Sequence, residues 1–385
     1  MRDSFLPFSP PLIGEEEIAE VVATLRSGWI TTGPKTKQFE REFASFVGAP
    51  AALATSSCTD AMQVGLAALG IAPGDEVITS TMTFCSTVHV IEHLGARPVL
   101  VDVEPDTLNL SPERVAAAIG PRTRAILPVH LYGHPCDMAA LGALAQQHGL
   151  HLLEDAAHAL PASFQGRMVG SLDSPAAFSF YATKNLTTAE GGMLTGSAEL
   201  IERARPWSLH GMSRDAYKRY SAEGSWYYEV ILPGYKGNMT DLQAALGLQQ
   251  LRKLPAFQAR RREIVRRYNS AFAACALVQT PAERPEVEHA WHIYALRLNL
   301  ERLRIDRARF IQELRERNIG SSVHFIPVHL HPYYRDKYGY RPDDLPVAYA
   351  HYQRLVSLPL NLTMSDADVA DVIEAVLEIA EAHRA

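Results

Sequence analysis

Between residues 51 and 180 the chain alternates short apolar runs with stretches of helical period, and no other feature limits its fold as tightly. The runs Ala51–Ala54, Glu76–Thr79, Val99–Val103, Ala125–Val129, His151–Glu154 and Ala176–Phe180 have the length of strands. Segments with the period of a helix separate most of them. Strands linked through helices predict an α/β domain with a largely parallel central sheet flanked by helices. Ligands gather at the carboxyl ends of strands in such sheets, so the residues just after each run are the candidates for chemistry.

At 385 residues the chain is long enough for two lobes. The expected division is a large domain over 1–255, including an N-terminal helical segment, and a smaller C-terminal α+β domain over 256–385. Net charge is −6 with both signs interspersed and no basic run, which argues against a nucleic-acid or membrane-surface role. The four cysteines, Cys58, Cys85, Cys136 and Cys275, are scattered without Cys-x-x-Cys spacing. Reduced thiols in a cytoplasmic protein are expected, with no zinc site or disulfide framework. The start, Met1 to Pro7, carries an early acid and a proline in place of an apolar signal core, and no apolar stretch is long enough to span a bilayer.

Outside the alternating region the pattern predicts a helix from Glu15 to Arg26 with Ile18, Val21, Val22 and Leu25 on one face. The turn from Ser27 to Pro34 ends it, and Trp29 there either lines a ligand site or covers a core edge. A second helix from Thr36 turns Phe39, Phe43 and Phe46 inward. A helix from Thr240 to Leu254 is expected to stop before Pro255, and a basic helix to run from Gln258 to Phe272 with Arg260, Arg261 and Arg262 on a solvated face. His289 to Tyr294 reads as a strand, and Ser322 to His329 as a strand leading into a loop. His210-Gly211-Met212 and the aromatic run from Tyr217 to Tyr228 form either a substrate loop or a variable surface.

Four features after the strands bear on chemistry. Ser56-Ser57-Cys58-Thr59 opens a helix, with Ser57 or Thr59 as N-cap, and free amides in a first turn suit an anion. Phe84, among hydroxyls at a strand end, is either core or a platform for a flat ring. Asp155 ends an apolar strand, where a carboxylate needs a cationic or hydrogen-bonding partner; His158, three residues on, is either on the same side or a satisfied core histidine. Lys184 follows the apolar strand in Phe178-Ser179-Phe180-Tyr181-Ala182-Thr183-Lys184-Asn185-Leu186, where desolvation can make an amine nucleophilic. Pyridoxal phosphate needs all four, because its phosphate is anchored, its ring stacks, its pyridinium nitrogen stays charged and its aldehyde condenses with an amine. No spacing of His, Cys or Asp suits a metal.

Taken with Gly28-Trp29-Ile30-Thr31-Thr32-Gly33-Pro34, Gly74-Asp75-Glu76-Val77-Ile78, Pro128-Val129-His130-Leu131-Tyr132-Gly133, Glu154-Asp155-Ala156-Ala157-His158-Ala159, Thr183-Lys184-Asn185 and Ser357-Leu358-Pro359-Leu360, these motifs give a resemblance that covers nearly the whole chain. The sequence resembles the DegT/StrS family of pyridoxal-phosphate-dependent sugar aminotransferases, of aspartate aminotransferase fold type I. Within it, Phe5-Leu6-Pro7-Phe8-Ser9 and Gly234-Tyr235-Lys236-Gly237-Asn238-Met239-Thr240-Asp241 look most like the UDP-4-amino-4-deoxy-L-arabinose oxoglutarate aminotransferases.

The resemblance implies that Lys184 is the Schiff-base lysine, that Asp155 pairs with the pyridinium nitrogen and that His158 approaches the ring hydroxyl. It further implies that Ser57, Cys58, Thr59 and Ser179 hold the phosphate and that Phe84 stacks on the ring. Cys58 stands where the family's Ser-Gly-Thr loop has glycine. A Gly-Tyr-Asn-x-Arg-Met segment of the family reaches the phosphate from a neighbouring subunit, and here Lys236 and Asn238 occupy its Asn and Arg places. A homodimer with shared active sites is therefore implied. Trp29, Thr31, His210, His324 and His329 are implied to border the substrate. The implied reaction moves the amino group of L-glutamate, leaving 2-oxoglutarate, to a keto carbon of a nucleotide-linked sugar, carbon 4, for amino sugars of the lipopolysaccharide kind. A 3-keto sugar or cyclitol as acceptor, and a regulator without catalysis, are the alternatives. Family members that remove a sugar hydroxyl carry His in place of the lysine, so Lys184 favours transamination.

Overall fold

The strands form where the alternation places them. In a computed structural model, which describes residues 2–213 and 227–385, the chain opens with α1 (Glu15–Ser27) and α2 (Pro34–Val47). It continues through β1 (Ala51–Thr55), α3 (Cys58–Ala68), β2 (Glu76–Ser80), α4 (Ser86–His93), β3 (Arg97–Val101), α5 (Pro112–Ala118), β4 (Thr123–Leu127), α6 (Met138–His148), β5 (His151–Leu152) and β6 (Glu154–Asp155). A small hairpin, β7 (Ser163–Phe164) with β8 (Arg167–Met168), precedes β9 (Ala176–Ser179), β10 (Gly192–Gly196), α7 (Ala198–Trp207) and the 32-residue α8 (Asp241–Phe272). Of the aromatic run from Tyr217 to Tyr228, everything up to residue 226 lies outside the described residues.

The strands pair in the orders β3-β2-β4-β5, wholly parallel, and β1-β10-β9-β6, where only β6 and β9 are parallel. A bridge between Val129 and Asp155 links the two sets, so the sheet is mostly parallel, as the sequence predicts. Side chains alternate across it with a period of two. Ala52, Ala54, Ala176, Phe178 and Met193 face the α2 and α8 side, whereas Leu53, Ala177 and Leu194 face α3 and α7. On the first side Phe43 of α2 packs edge-on to Phe178 with ring centroids 5.1 Å apart, and both Phe39 and Phe43 meet Phe180 at 5.4 Å. Each such pair adds ~0.5–1.5 kcal/mol beyond its buried area.

The smaller lobe comprises β11 (Val278–Gln279), β12 (Val287–Glu288), β13 (Tyr294–Leu298), α9 (Arg307–Glu316), α10 (Pro332–Tyr338), α11 (Pro346–Arg354), β14 (Leu355–Leu358) and α12 (Asp366–Ala382). Strands β11, β13 and β14 form an antiparallel sheet, and β12 pairs back onto β7. Its core gathers Phe310 and Leu314 of α9, Val372 and Val376 of α12, and Ile264, Tyr268 and Phe272 from the far half of α8. Leu6 belongs to the same core: its N–H donates to the Asn318 carbonyl at 2.8 Å, and its own carbonyl accepts from Gly320 N–H at 2.9 Å.

Several local expectations are corrected. Helix α8 does not break before Pro255 but runs through it, past the expected division at 255 and 256, and feeds both cores. Proline removes one donor, and burial of Leu251, Leu254, Phe257 and Gln258 on either side outweighs that loss. Arg261 is not on a solvated face. It is buried, donates to the carbonyls of Trp291 at 3.3 Å and Leu360 at 3.0 Å, and burial lowers its pKa to about 10. Arg260 and Arg262 do lie outward, paired with Asp366 and Glu288.

Residues 289–293 are irregular, with the strand starting only at Tyr294. Trp291 sits at φ 51°, which breaks an extended ladder, and its ring stacks on His289 at 3.8 Å. The segment from Ser322 to His329 makes a single bridge, Ser322 with Ser357, and then leaves the sheet instead of forming a strand.

Helix α1 is inverted relative to expectation. Its buried residues are Glu17 and Thr24, with the Glu17 carboxylate accepting from Gln250 Nε2 at 2.8 Å and from Lys253 Nζ at 2.7 Å, while Ile18, Val22 and Leu25 remain exposed.

Candidate active site

The ends of β6 and β9, the N-terminus of α3 and two loops of the smaller lobe enclose a cavity of about 470 Å³. Its floor is the start of α3. Ser57, with φ −162°, is the N-cap and accepts from Asp60 N–H at 3.0 Å, and Ser57, Cys58 and Thr59 all line the cavity. Helix starts leave amides without internal partners, which suits an anion. Gly192 of β10 lets this turn approach the sheet: a Cβ there would stand 2.4 Å from the Ser57 carbonyl and 2.6 Å from Cys58 N.

Asp155 ends β6 and is 4% exposed. Thr87 Oγ1 donates to its Oδ2 at 2.7 Å, and Ala157 N–H donates to Oδ1 at 3.1 Å. Burial raises the Asp155 pKa, and these two bonds and the Lys184 charge act against that rise. A buried carboxylate so placed is completed by a cation. Thr87 is itself held by Thr83, hydroxyl to hydroxyl at 2.7 Å.

Lys184 follows β9 and turns into the same cavity. Burial lowers the pKa of its amine to about 8, with Cys58 and Asp155 pulling the other way. Its Nζ lies 3.5 Å from His292 Nε2. His158 accepts from Tyr132 N–H through Nδ1 at 3.1 Å, and its ring is 4.6 Å from that of His292 and stacked on Phe325 at 5.8 Å. Burial drives His158 and His292 well below the usual histidine range, so both are neutral imidazoles. Phe84 is 58% exposed and forms an open wall, 6.0 Å from Phe325. His324 edges the cavity, with Nδ1 2.9 Å from Ser357 Oγ and its ring stacked on Phe8 at 5.4 Å; burial takes its pKa down to about 4.

Ser57, Cys58, Thr59, Phe84, Asp155, His158, Ser179, Lys184 and His324 therefore share one cavity. The other sequence candidates do not line it. His329 is fully buried elsewhere, its Nδ1 2.7 Å from Thr81 Oγ1. Trp29, Thr31, Lys236 and His210 lie exposed on the surface, with Asn238 beside them. Asn238 Nδ2 donates to Thr32 Oγ1 at 2.6 Å, Asp241 N–H to the Thr31 carbonyl at 3.1 Å and His210 N–H to the Tyr235 carbonyl at 2.7 Å, so this second group is one connected surface. It abuts the α3 turn, since Ser56 N–H donates to the Gly237 carbonyl at 2.7 Å.

Thr87, His292 and Phe325 line or support the cavity and were not singled out by the sequence. A signal existed for Thr87, four residues after Thr83 where a helix begins. His292 and Phe325 were hidden by reading their segments as strands.

The chain matches the model of the DegT/DnrJ/EryC1/StrS aminotransferase family over residues 11–377. It is 55% identical over 380 residues to the spore coat polysaccharide biosynthesis protein SpsC of Bacillus subtilis (strain 168), with 98% of each chain covered. A protein of Streptococcus pneumoniae described as a sugar aminotransferase, Spr1654, is similar in structure. Its PMP form has a TM-score of 0.93 and 38% identity, covering 98% of this chain and 99% of that one. The PLP form of the same protein has a TM-score of 0.92 at the same identity and coverage.

Proposed function

Since this chain belongs to the DegT/DnrJ/EryC1/StrS aminotransferase family and is a pyridoxal-phosphate-dependent aminotransferase, we propose that it transfers the amino group of L-glutamate to carbon 4 of a nucleotide-linked keto sugar. One observation carries the reading. A buried amine with a depressed pKa shares a cavity with a buried carboxylate, a helix N-terminus and an exposed aromatic face.

These residues fit the cofactor. Asp155, whose burial calls for a cation, suits a protonated ring nitrogen. The first turn of α3, with the hydroxyls of Ser57, Thr59 and Ser179, suits the phosphate. Phe84 would offer a face to the ring, and neutral His158 would meet its hydroxyl. Lys184 would hold the aldehyde carbon. When bound, the cofactor supplies an electron sink that takes up the donor's amino group and later yields it to the acceptor carbonyl. Lys184 Nζ, once released, moves the proton between the two carbon centres, and a pKa near 8 leaves both its forms populated at working pH. Thr87 and Ala157 donate to the Asp155 oxygens and favour its ionised form against the burial that raises its pKa.

The working unit is a homodimer. Ile18, Val22 and Leu25 present an exposed apolar face on α1, followed in the chain by exposed Trp29 and Ile30, and this is the surface a second copy would cover. Lys236, as a point charge, and Asn238, as a neutral donor, then reach the partner's phosphate site, with Trp29, Thr31 and His210 bordering its sugar. His324 borders the sugar from within the same chain. A nucleotide-linked substrate fits a cytoplasmic enzyme, and among the described residues no helix is long and apolar enough to cross a membrane.

The test is a visible spectrum. The purified protein should be yellow, bleach with L-glutamate and regain colour with one member of a panel of UDP- and dTDP-linked 4-keto sugars, while Lys184→Ala does neither. Recovery with only a 3-keto sugar or a cyclitol ketone would move the assignment to that carbonyl. A protein that stays colourless with added cofactor would sink the catalytic reading.

A further inference from the structure

Lys184 and Asn185 are neighbours in sequence, and both reach one histidine that the reaction as described does not use. His292 is 7% exposed and sits with Nε2 3.5 Å from Lys184 Nζ and Nδ1 3.3 Å from Asn185 Oδ1. The orientation of the Asn185 amide is not free. Its Nδ2 donates to the Ala290 carbonyl at 2.9 Å, an acceptor only, so its Oδ1 must be the atom facing His292. An oxygen there can only accept, so Nδ1 of the neutral ring carries the hydrogen. The lone pair is then left on Nε2, facing the amine.

We propose that His292, its tautomer set by Asn185, is a positioning residue for Lys184: Nε2 accepts a hydrogen bond from Nζ and holds the amine in line whenever it is free. The relay runs from the Ala290 carbonyl through the Asn185 amide and the His292 ring to Nζ. A lysine that must leave its covalent partner and then carry a proton needs such a hold, because an unattached four-carbon stem samples many rotamers. The assignment rests on Lys184 being the reactive amine. It adds what keeps that amine in place.

The consequence is visible without substrate. A hydrogen bond from the ammonium to a neutral acceptor favours the charged form, so removing the acceptor should lower the amine's pKa. The groups facing Lys184 are Asp155, Cys58, His158, His292 and His324, and those facing His292 are Lys184, His158, His324 and Arg261.

The experiment follows carbamylation of Lys184 by potassium cyanate, read by peptide mass spectrometry, against pH in the full-length protein stripped of cofactor. The neutral amine reacts with cyanic acid, whose share of the reagent falls as pH rises, so the rate is level below the amine's pKa and declines above it. The half-point of that decline reports the pKa whatever the accessibility. The wild type should show a half-point near pH 8. His292→Leu should lower it by about one pH unit. His292→Gln, which returns an oxygen to the reach of Nε2, should restore it. Asn185→Leu, which keeps the ring but frees the tautomer, should shift it in the same direction as His292→Leu, and stands in if that variant does not fold. An unchanged half-point in His292→Leu or Asn185→Leu overturns the proposal, as does a His292→Gln shift equal to that of His292→Leu. None of these outcomes involves a sugar, so failure here is separable from failure of the substrate assignment.

Discussion

An ammonium is unwelcome at Lys184, and the cost can be measured. The amine titrates near 8 in the folded chain against 10.5 for an unburdened lysine. Between those values the unfolded chain binds more protons, so the stability of the cofactor-free protein should rise as pH climbs through this window. Below pH 8 the penalty is complete, up to ~3 kcal/mol. Lys184→Met should therefore be more stable than the wild type at pH 7 by up to that amount, with the gap closing towards pH 10.5, as urea denaturation of the cofactor-free proteins would show. Asp155→Asn keeps the shape and removes the charge, so it should bind cofactor yet lose about a hundredfold or more in kcat. Lys184 and Asp155 were legible in the sequence because each is a charge at the end of an apolar run, where burial forces a partner. His292 was not, because a neutral histidine beside Trp291 reads as one more ring in a core. Its meaning lies in Asn185, more than a hundred positions away.

Elements were legible to the extent that their signals are local. Short apolar runs between helical stretches placed the strands of this region to within a few residues, and of the two N-cap candidates, Ser57 and Thr59, it is Ser57 that starts α3. What escaped was set by contacts across the chain. Helix α2 starts at Gly33 without a cap of its own, and Asp241 at the head of α8 supplies one, its carboxylate accepting from Gly33 N–H at 2.8 Å, Lys35 N–H at 3.0 Å and Thr36 N–H at 2.9 Å. Asp241→Ala strands those three donors in a buried corner and should cost ~2–4 kcal/mol by chemical denaturation. Gly192→Ala should act on the other side of the sheet. Its methyl would push the Ser57 turn away, so cofactor affinity, read by equilibrium dialysis, should fall along with ~1–3 kcal/mol of stability. The continuity of α8 through Pro255 escaped for the same reason: a proline is a local stop signal, and the packing that overrides it belongs to two separate cores.

For the molecule as a whole, the two cores were legible in outline from length and from the change of pattern after α8. The outward face of α1 was not. Ile18, Val22 and Leu25 look like residues meant for the interior, and only the burial of Glu17 against Gln250 and Lys253 shows that the helix is turned around. In the proposed homodimer, Ile18→Glu with Leu25→Glu should halve the mass seen by light scattering and weaken the yellow colour, since the partner's share of the proposed site would be lost. A second feature reaches across the whole chain. Leu6 is packed with Ile319, Val356 and Val376, so it completes a core whose other members are synthesised hundreds of residues after it. At ~5–20 residues per second that wait is on the order of half a minute. Throughout it Leu6 is without its partners in that core, and the smaller lobe closes only once Val376 has been made.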